Sequence, residues 1–268
     1  MSTFVAHGLT GRALVLGCAG LVAAAITAGG SRPAMAGFPF LTDDPGTQGT
    51  GHVELDLYVQ YSRFNGGSTG SMPAVSFAYG ITDNFDITIG LPVTMSQTNG
   101  VGTNMGIGDA SLGFKFRFIE EDTDGWRPAV AFAPSVIMPT GSQARGTGAG
   151  YFRGYLPVWL SKTAGDWTFF GGGGLNINEA TVGGVRQTNW WYAGLGVTYQ
   201  IDEKWMVGSE VYYTSPIATG AKDLVGFNVG VVYALAQGHN LMATVGRNVV
   251  NARDTNQFST LLAYQLKF

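Results

Sequence analysis

The sequence predicts an all-β chain that crosses a membrane as an antiparallel up-and-down β-barrel of about twelve strands, and three observations predict it. The last residues, Phe258 to Phe268, put Phe258, Leu262, Tyr264, Leu266 and Phe268 on one face of an extended strand, because alternate side chains of a strand point to opposite faces. Forty-one glycines stand beside only 12% charged residues, a composition that suits a wall facing lipid and turns that need glycine. After residue 37 there is neither a helical period of useful length nor the run of ~18 apolar residues that a spanning helix requires.

The amino-terminal element reads as an export signal. Arg12 precedes an apolar run from Ala13 to Ala28, and Ala34-Met35-Ala36 supplies small residues at the positions a signal peptidase reads, so residues 1–36 are expected to be removed and Gly37 to begin the mature chain. The run is shorter than the ~20 residues of a membrane anchor and ends in Gly29, Gly30 and Pro33. Cys18 lies inside the run, and Leu16 is too large for a lipoprotein signal there. Cleavage takes away the single cysteine, so the mature chain has no disulfide and no cysteine nucleophile. It also takes Arg12 and Arg32 from the 15 basic residues, leaving 13 against 18 acidic ones, a net charge of −5. That balance excludes nucleic acid as a partner class, since its binding demands a basic surface.

Residues 37–50 are expected to form a short periplasmic segment, and 51–268 the outer-membrane β-barrel. The first strand, Val53 to Arg63, alternates Val53, Leu55, Leu57, Val59 and Tyr61 against Glu54, Asp56, Tyr58, Gln60 and Ser62. Val75, Phe77, Tyr79 and Ile81 then run into Thr82-Asp83-Asn84, and Phe85, Ile87, Ile89, Leu91 and Val93 return, a hairpin with a turn of the expected composition. The fourth strand sets Ala110, Leu112, Phe114, Phe116 and Phe118 opposite Asp109, Ser111, Lys115 and Arg117. Further strands are expected at 130–138, 152–160, 167–177, 191–201, 205–213, 227–235 and 241–247, before the terminal one.

Short connections are expected at 82–84, 119–125, 162–166, 202–204 and 236–239, and longer Gly, Ser, Thr and Asn-rich ones at 64–72, 96–105, 139–150, 178–188, 214–223 and 248–256. This is the asymmetry of periplasmic turns and extracellular loops, and it places both termini in the periplasm of a Gram-negative-type cell. Trp126, Trp167 and Trp205 each follow an expected turn, at the depth of an aromatic girdle.

Little in the chain could carry chemistry. His7 goes with the signal, and His52 and His239 stand alone, without metal-ligand spacing. The glycine clusters at Gly106-Ile107-Gly108 and Gly171 to Gly174 are followed by no helix, so they read as a loop mouth and as room for strand bending, not as phosphate cradles. No Gly-x-Ser-x-Gly elbow occurs, so neither a catalytic residue nor a cofactor is expected, and a barrel-embedded hydrolase is the weakest alternative.

The lumen face is more informative. It carries Glu54, Asp56, Asp86, Lys115, Arg117, Arg153, Glu210 and Lys267 together with the rings of Tyr58, Tyr155, Trp159, Phe170, Trp190, Tyr192 and Tyr212. Bore grows with strand number, from filled near ~8 strands to open at ~16, so about twelve leave a narrow one. Two readings stand side by side: a packed, structural barrel without an open pore, and a constricted path in which rings touch an apolar or aromatic solute while charges such as Asp56 and Lys115 face one another.

Four stretches carry a resemblance to a known family. They are Phe40-Leu41-Thr42-Asp43-Asp44-Pro45-Gly46-Thr47-Gln48-Gly49-Thr50-Gly51-His52-Val53-Glu54-Leu55, Tyr79-Gly80-Ile81-Thr82-Asp83-Asn84-Phe85, Gly106-Ile107-Gly108-Asp109 and Met138-Pro139-Thr140-Gly141. In this order they resemble the outer-membrane proteins named after the meta-cleavage pathway of phenol degradation. The resemblance implies a β-barrel transporter for aromatic or other hydrophobic compounds and brings no catalytic residues with it. The expected partners are therefore outer-membrane lipid, a small hydrophobic or aromatic solute, and the barrel-assembly machinery reading the strand that ends at Phe268.

Overall fold

The computed structural model describes residues 39–182 and 184–268; the export segment expected over 1–36 lies outside the described residues. Twelve strands make the wall: β1 Val53–Phe64, β2 Gly67–Thr82, β3 Phe85–Thr98, β4 in two parts (Gly102–Ile107 and Ala110–Ile119), β5 in two parts (Ala129–Phe132 and Ser135–Met138), β6 Arg153–Ala164, β7 Trp167–Ile177, β8 Trp190–Gln200, β9 Trp205–Thr214, β10 Leu224–Ala236, β11 His239–Val250 and β12 Phe258–Lys267. Each pairs antiparallel with its neighbours, and β1 closes on β12 through a register running from Glu54↔Lys267 to Arg63↔Phe258. Closure matters because an unpaired strand edge in lipid leaves backbone groups that no water can satisfy. β5 is broken at Pro134, which has no N–H to give to a ladder, and β4 at Gly108-Asp109.

The alternation of the sequence sorts the faces. Leu57, Val59, Ile87, Ile89, Leu91, Leu112, Leu195 and Leu262 point outward and are exposed, whereas Glu54, Asp56, Asp86, Lys115 and Glu210 point inward and are buried. In a soluble protein that arrangement would be inverted; in a bilayer it follows from the alternating strand pattern. Aromatic pairs mark one rim, with ring centroids 4.6 Å apart for Trp167–Tyr199 and 4.5 Å for Trp205–Tyr233.

At the loop rim the connections differ from expectation in two places. The stretches 64–72 and 96–105, read as long loops, are mostly strand: Asn65-Gly66 alone joins β1 to β2, and residues 99–101 join β3 to β4. Ser and Thr are compatible with β-pairing, so the ladder continues past the apolar band into polar sequence instead of ending with it. Between β7 and β8 lies a small hairpin, Ala180–Val182 paired to Val185–Gln187, and Ala252–Thr255 is a single helical turn before β12.

The segment before β1 departs furthest from the reading of the sequence. Expected to hang in the periplasm, residues 39–48 instead lie inside the barrel, where Phe40, Thr42, Asp43, Asp44, Thr47 and Gln48 are all buried.

Candidate functional site

The site is the lumen, and the amino-terminal segment organises its lower half, nearest the short turns. Gly51 N donates to Gly80 O at 2.8 Å, and Thr50 donates from both N (3.0 Å) and Oγ1 (2.6 Å) to Asp83 Oδ1 in the β2–β3 turn. Those two bonds from Thr50 hold the Asp83 carboxyl below the usual carboxylate range. Higher up, Gln48 N donates to Asp86 Oδ2 at 2.9 Å. Lys115 on β4 then grips the chain twice, its Nζ lying 2.8 Å from Asp43 Oδ2 and donating to Asp44 O at 2.7 Å.

The segment crosses to the far wall. There Leu41 N and Thr42 N each donate at 2.8 Å to the two carboxylate oxygens of Glu210 on β9, and the hydroxyls of Thr42 and Tyr192 lie 2.8 Å apart. Phe40 packs its ring 5.6 Å from that of Phe170. It fits because Gly208 and Gly230 carry no side chain: a Cβ there would come within 2.9 and 3.1 Å of the Phe40 ring. Burial pushes the Asp43 carboxyl up to about 6 against the opposing pull of Lys115, and burial pushes Asp44 up to about 8.

Above the segment, toward the loop rim, four aromatic residues form a ladder across β6, β8 and β9. Tyr155 and Trp159 meet edge-on with centroids 6.3 Å apart, Trp159 and Tyr192 edge-on at 6.2 Å, and Tyr192 stacks on Tyr212 at 6.2 Å. Such offsets are the favoured geometry of ring pairs. Trp190, Leu41 and Ala133 pack against the ladder, Tyr212 Oη donates to Asn248 Oδ1 at 2.9 Å, and the buried Tyr155 hydroxyl has no hydrogen-bond partner among the described residues.

The sequence-derived path residues divide accordingly. Tyr155, Trp159, Tyr192 and Tyr212 come together as one buried cluster with Trp190 packed against it, while Glu210, Asp86 and Lys115 hold the segment. Glu54 and Asp56 are wall groups tied to β12, Glu54 Oε2 by Lys267 Nζ at 3.3 Å and Asp56 Oδ1 by Gln265 Nε2 at 3.0 Å. The expected opposition of Asp56 and Lys115 across the bore gives way to Lys115 paired with Asp43. Tyr58 packs on an apolar cluster of Met206, Val232, Met242, Leu261 and Ala263. Arg117 lies at the turn rim, donating to Asp83 O at 3.0 Å, away from the ladder. Sequence reasoning missed residues 40–48 as part of the lumen; the density of family-like residues in that stretch, beyond what a tether requires, was the available signal.

A closed, twelve-stranded antiparallel barrel with an apolar outer wall and a polar interior belongs to the class of barrels that span bacterial outer membranes. Within that class, the chain belongs to the family described as the putative MetA-pathway of phenol degradation, which it matches over residues 39–266. In structure it is similar to an outer-membrane channel from Pseudomonas putida F1, with a TM-score of 0.67 at 15% identity over 84% of this chain and 98% of that one. It is also similar to the KdgM porin, with a TM-score of 0.54 at 10% identity over 80% of this chain and 99% of that one. No curated protein matches the sequence.

Proposed function

We propose that the protein is a narrow outer-membrane channel through which small hydrophobic or aromatic solutes pass by diffusion, without an energy source or a catalytic step of its own. The observation that carries this is the ladder of Tyr155, Trp159, Tyr192 and Tyr212 inside a closed barrel. Planar apolar solutes find face and edge contacts on such rings. The fold is shared with solved structures described as a channel and a porin, not as enzymes, and the family description points to phenol breakdown.

In this reading the short turns and both termini face the periplasm and the long loops face outward. Cleavage after Ala36 releases a chain beginning at Gly37, and the assembly machinery recognises β12 with Phe268. Purified protein in liposomes is expected to accelerate the entry of phenol-like solutes, and Trp159→Ala with Tyr212→Ala to raise the flux of bulkier solutes while eroding selectivity among aromatics. One observation favours a second reading, a plugged structural barrel: residues 39–48 fill the lower lumen. Absence of flux in both the native protein and the double variant would decide for it.

A further inference from the structure

We infer that the outer wall at the loop end of β10, β11, β12 and β1 is a binding seat for lipopolysaccharide, in which Arg63 and Arg247, joined by Arg253, hold the phosphates of the lipid A headgroup while the apolar wall beneath carries its acyl chains. The inference rests on one part of the reading above, that the long loops face outward, and not on what crosses the lumen.

Strand register builds the seat. Arg63 pairs with Phe258 across β1 and β12, Arg247 pairs with Phe227 across β11 and β10, and the pair Gly246↔Ser259 sets Arg247 beside Phe258 on the strand between. Unbroken alternation from Leu57 and Val59 to Arg63, and from Leu241 and Val245 to Arg247, puts both arginines on the face that meets lipid. Ring and guanidinium thus alternate along one row, and all four residues are exposed. Neighbouring strands lie ~4.8 Å apart, so the two arginines that flank β12 stand roughly 10 Å apart at their Cα atoms, within reach of one headgroup. Arg253 comes to the same place from the β11–β12 connection. Its carbonyl accepts from Asn65 N at 2.8 Å, and Gln257 N donates to Arg63 O at 2.7 Å, so the helical turn is tied to the tip of the β1–β2 hairpin with Arg253 exposed beside it.

Height and charge select the occupant. Counted from the turn rim, Arg63 is the eleventh residue of β1 and Arg247 the ninth of β11, which is where a spanning strand of ~9–11 residues leaves the hydrocarbon. A guanidinium on the lipid face is costly at mid-depth and cheap at the interface, so the row stands where arginine is tolerated. Below it Val59, Val229, Val245 and Leu262 are exposed on the same face, a strip fit for acyl chains. Among the described residues Arg63 and Arg253 make no side-chain hydrogen bond or ion pair, and Arg247 spends only Nε, on Asn248 O at 3.4 Å. The neighbouring acid Asp254 is already taken, its Oδ2 lying 2.7 Å from Lys222 Nζ. The guanidinium groups are therefore left for an anion from outside the chain.

Arginine's planar fork gives a phosphate two parallel N–H···O bonds, and basic clusters at headgroup height are the usual means of recognising anionic lipid. The chain as a whole is acidic, yet its loop end carries more basic than acidic residues and its turn end the reverse. An outward-facing leaflet built of lipopolysaccharide presents phosphates at both ends of a disaccharide, at the edge of the hydrocarbon and above several acyl chains. Such a headgroup spans from Arg63 to Arg247 while its chains cover the strands between; a glycerophospholipid, with one phosphate and two chains, covers less of the row.

The test measures lipid retention. The exported protein, purified from outer membranes and stripped of co-purifying lipid, is mixed in detergent with lipid A carrying both phosphates, with the same lipid lacking them, or with dioleoylphosphatidylglycerol, and bound lipid is counted by native mass spectrometry. The expected result is one phosphorylated lipid A held per barrel and not displaced by phosphatidylglycerol, its affinity falling about tenfold for each of Arg63→Gln and Arg247→Gln. Arg186→Gln, which removes a charge from the hairpin between β7 and β8, is expected to change nothing. Equal loss in Arg186→Gln, equal retention of phosphatidylglycerol or of the dephosphorylated lipid, or retention indifferent to Arg63 and Arg247 overturns the seat. Should the double variant fail to fold, the two single variants decide by the same measure. Orientation is read separately, by a membrane-impermeant maleimide on Thr219→Cys in the exposed β9–β10 loop. Labelling in intact cells without lipid A retention strikes the seat alone, whereas labelling only after the outer membrane is permeabilised overturns the outward placement of the loops and the seat with it.

Discussion

Replacing Glu210 by Gln should undock the amino-terminal segment while leaving the wall intact. Glu210 receives Leu41 N and Thr42 N, one on each oxygen, and also Asn228 Nδ2 at 2.6 Å. Gln keeps the volume but presents one oxygen and one NH2 group, so one of the two amides meets a donor and the other bonds to a neutral acceptor. A hydrogen bond to a charged group contributes ~1.5–3 kcal/mol and a neutral one ~0.5–1.5 kcal/mol, so the exchange loses one of the stronger bonds and weakens the other. The total is ~3 kcal/mol, which multiplies the ratio of released to docked segment by ~150. Amide hydrogen exchange reads this directly. The informative amide is that of Gln48, whose partner Asp86 the substitution does not touch. If the segment leaves as a unit, Gln48 exchanges faster along with Leu41 and Thr42, and conductance in planar bilayers rises. If only Leu41 and Thr42 quicken, the contacts at Asp86 and Lys115 hold without Glu210, and the picture of one cooperative strap is wrong.

The same segment should respond to pH. Burial raises Asp43 from 3.8 to about 6 and Asp44 from 3.8 to about 8, so the docked segment binds more protons than the released one across that window. The contribution of these two carboxyls to docking is then full below pH 3.8, and weakens as pH rises through about 6 and about 8; a conductance that fell as pH rose through that window, or one insensitive to Asp44→Asn, would contradict this. On the wall, Leu57→Arg should cost ~2–4 kcal/mol in unfolding from vesicles, because position 57 faces lipid, whereas Gln60→Arg on the lumen side should cost much less. Equal costs would mean that the faces are misassigned. Deleting Phe268 removes its reciprocal bonds with Val53, at 2.7 and 3.0 Å, and should lower the folded fraction seen by gel mobility; an unchanged yield would show that closure does not depend on them.

What the sequence determined by itself was the wall. Period-two alternation is a local property, so Leu57 against Asp56 or Phe114 against Lys115 could be assigned to opposite faces without knowing any neighbour, and twelve strands with an aromatic last residue emerged from that rule and from turn chemistry. Strand ends were less legible, because Ser68 to Ser71 and Ser96 to Thr98 have loop composition yet find partners in the β1–β2–β3 ladder. The interior was decided only by tertiary structure. Lumen residues on β4 and β9 meet a common partner through contacts 71 and 168 residues apart in sequence, from Lys115 to Asp44 and from Glu210 to Thr42. No periodicity announces that a segment without strand pattern will enter the bore, or that Gly208 and Gly230 are small so that Phe40 can lie there. A face is fixed by the chain's own geometry; what fills the space behind it depends on which distant residues closure brings together.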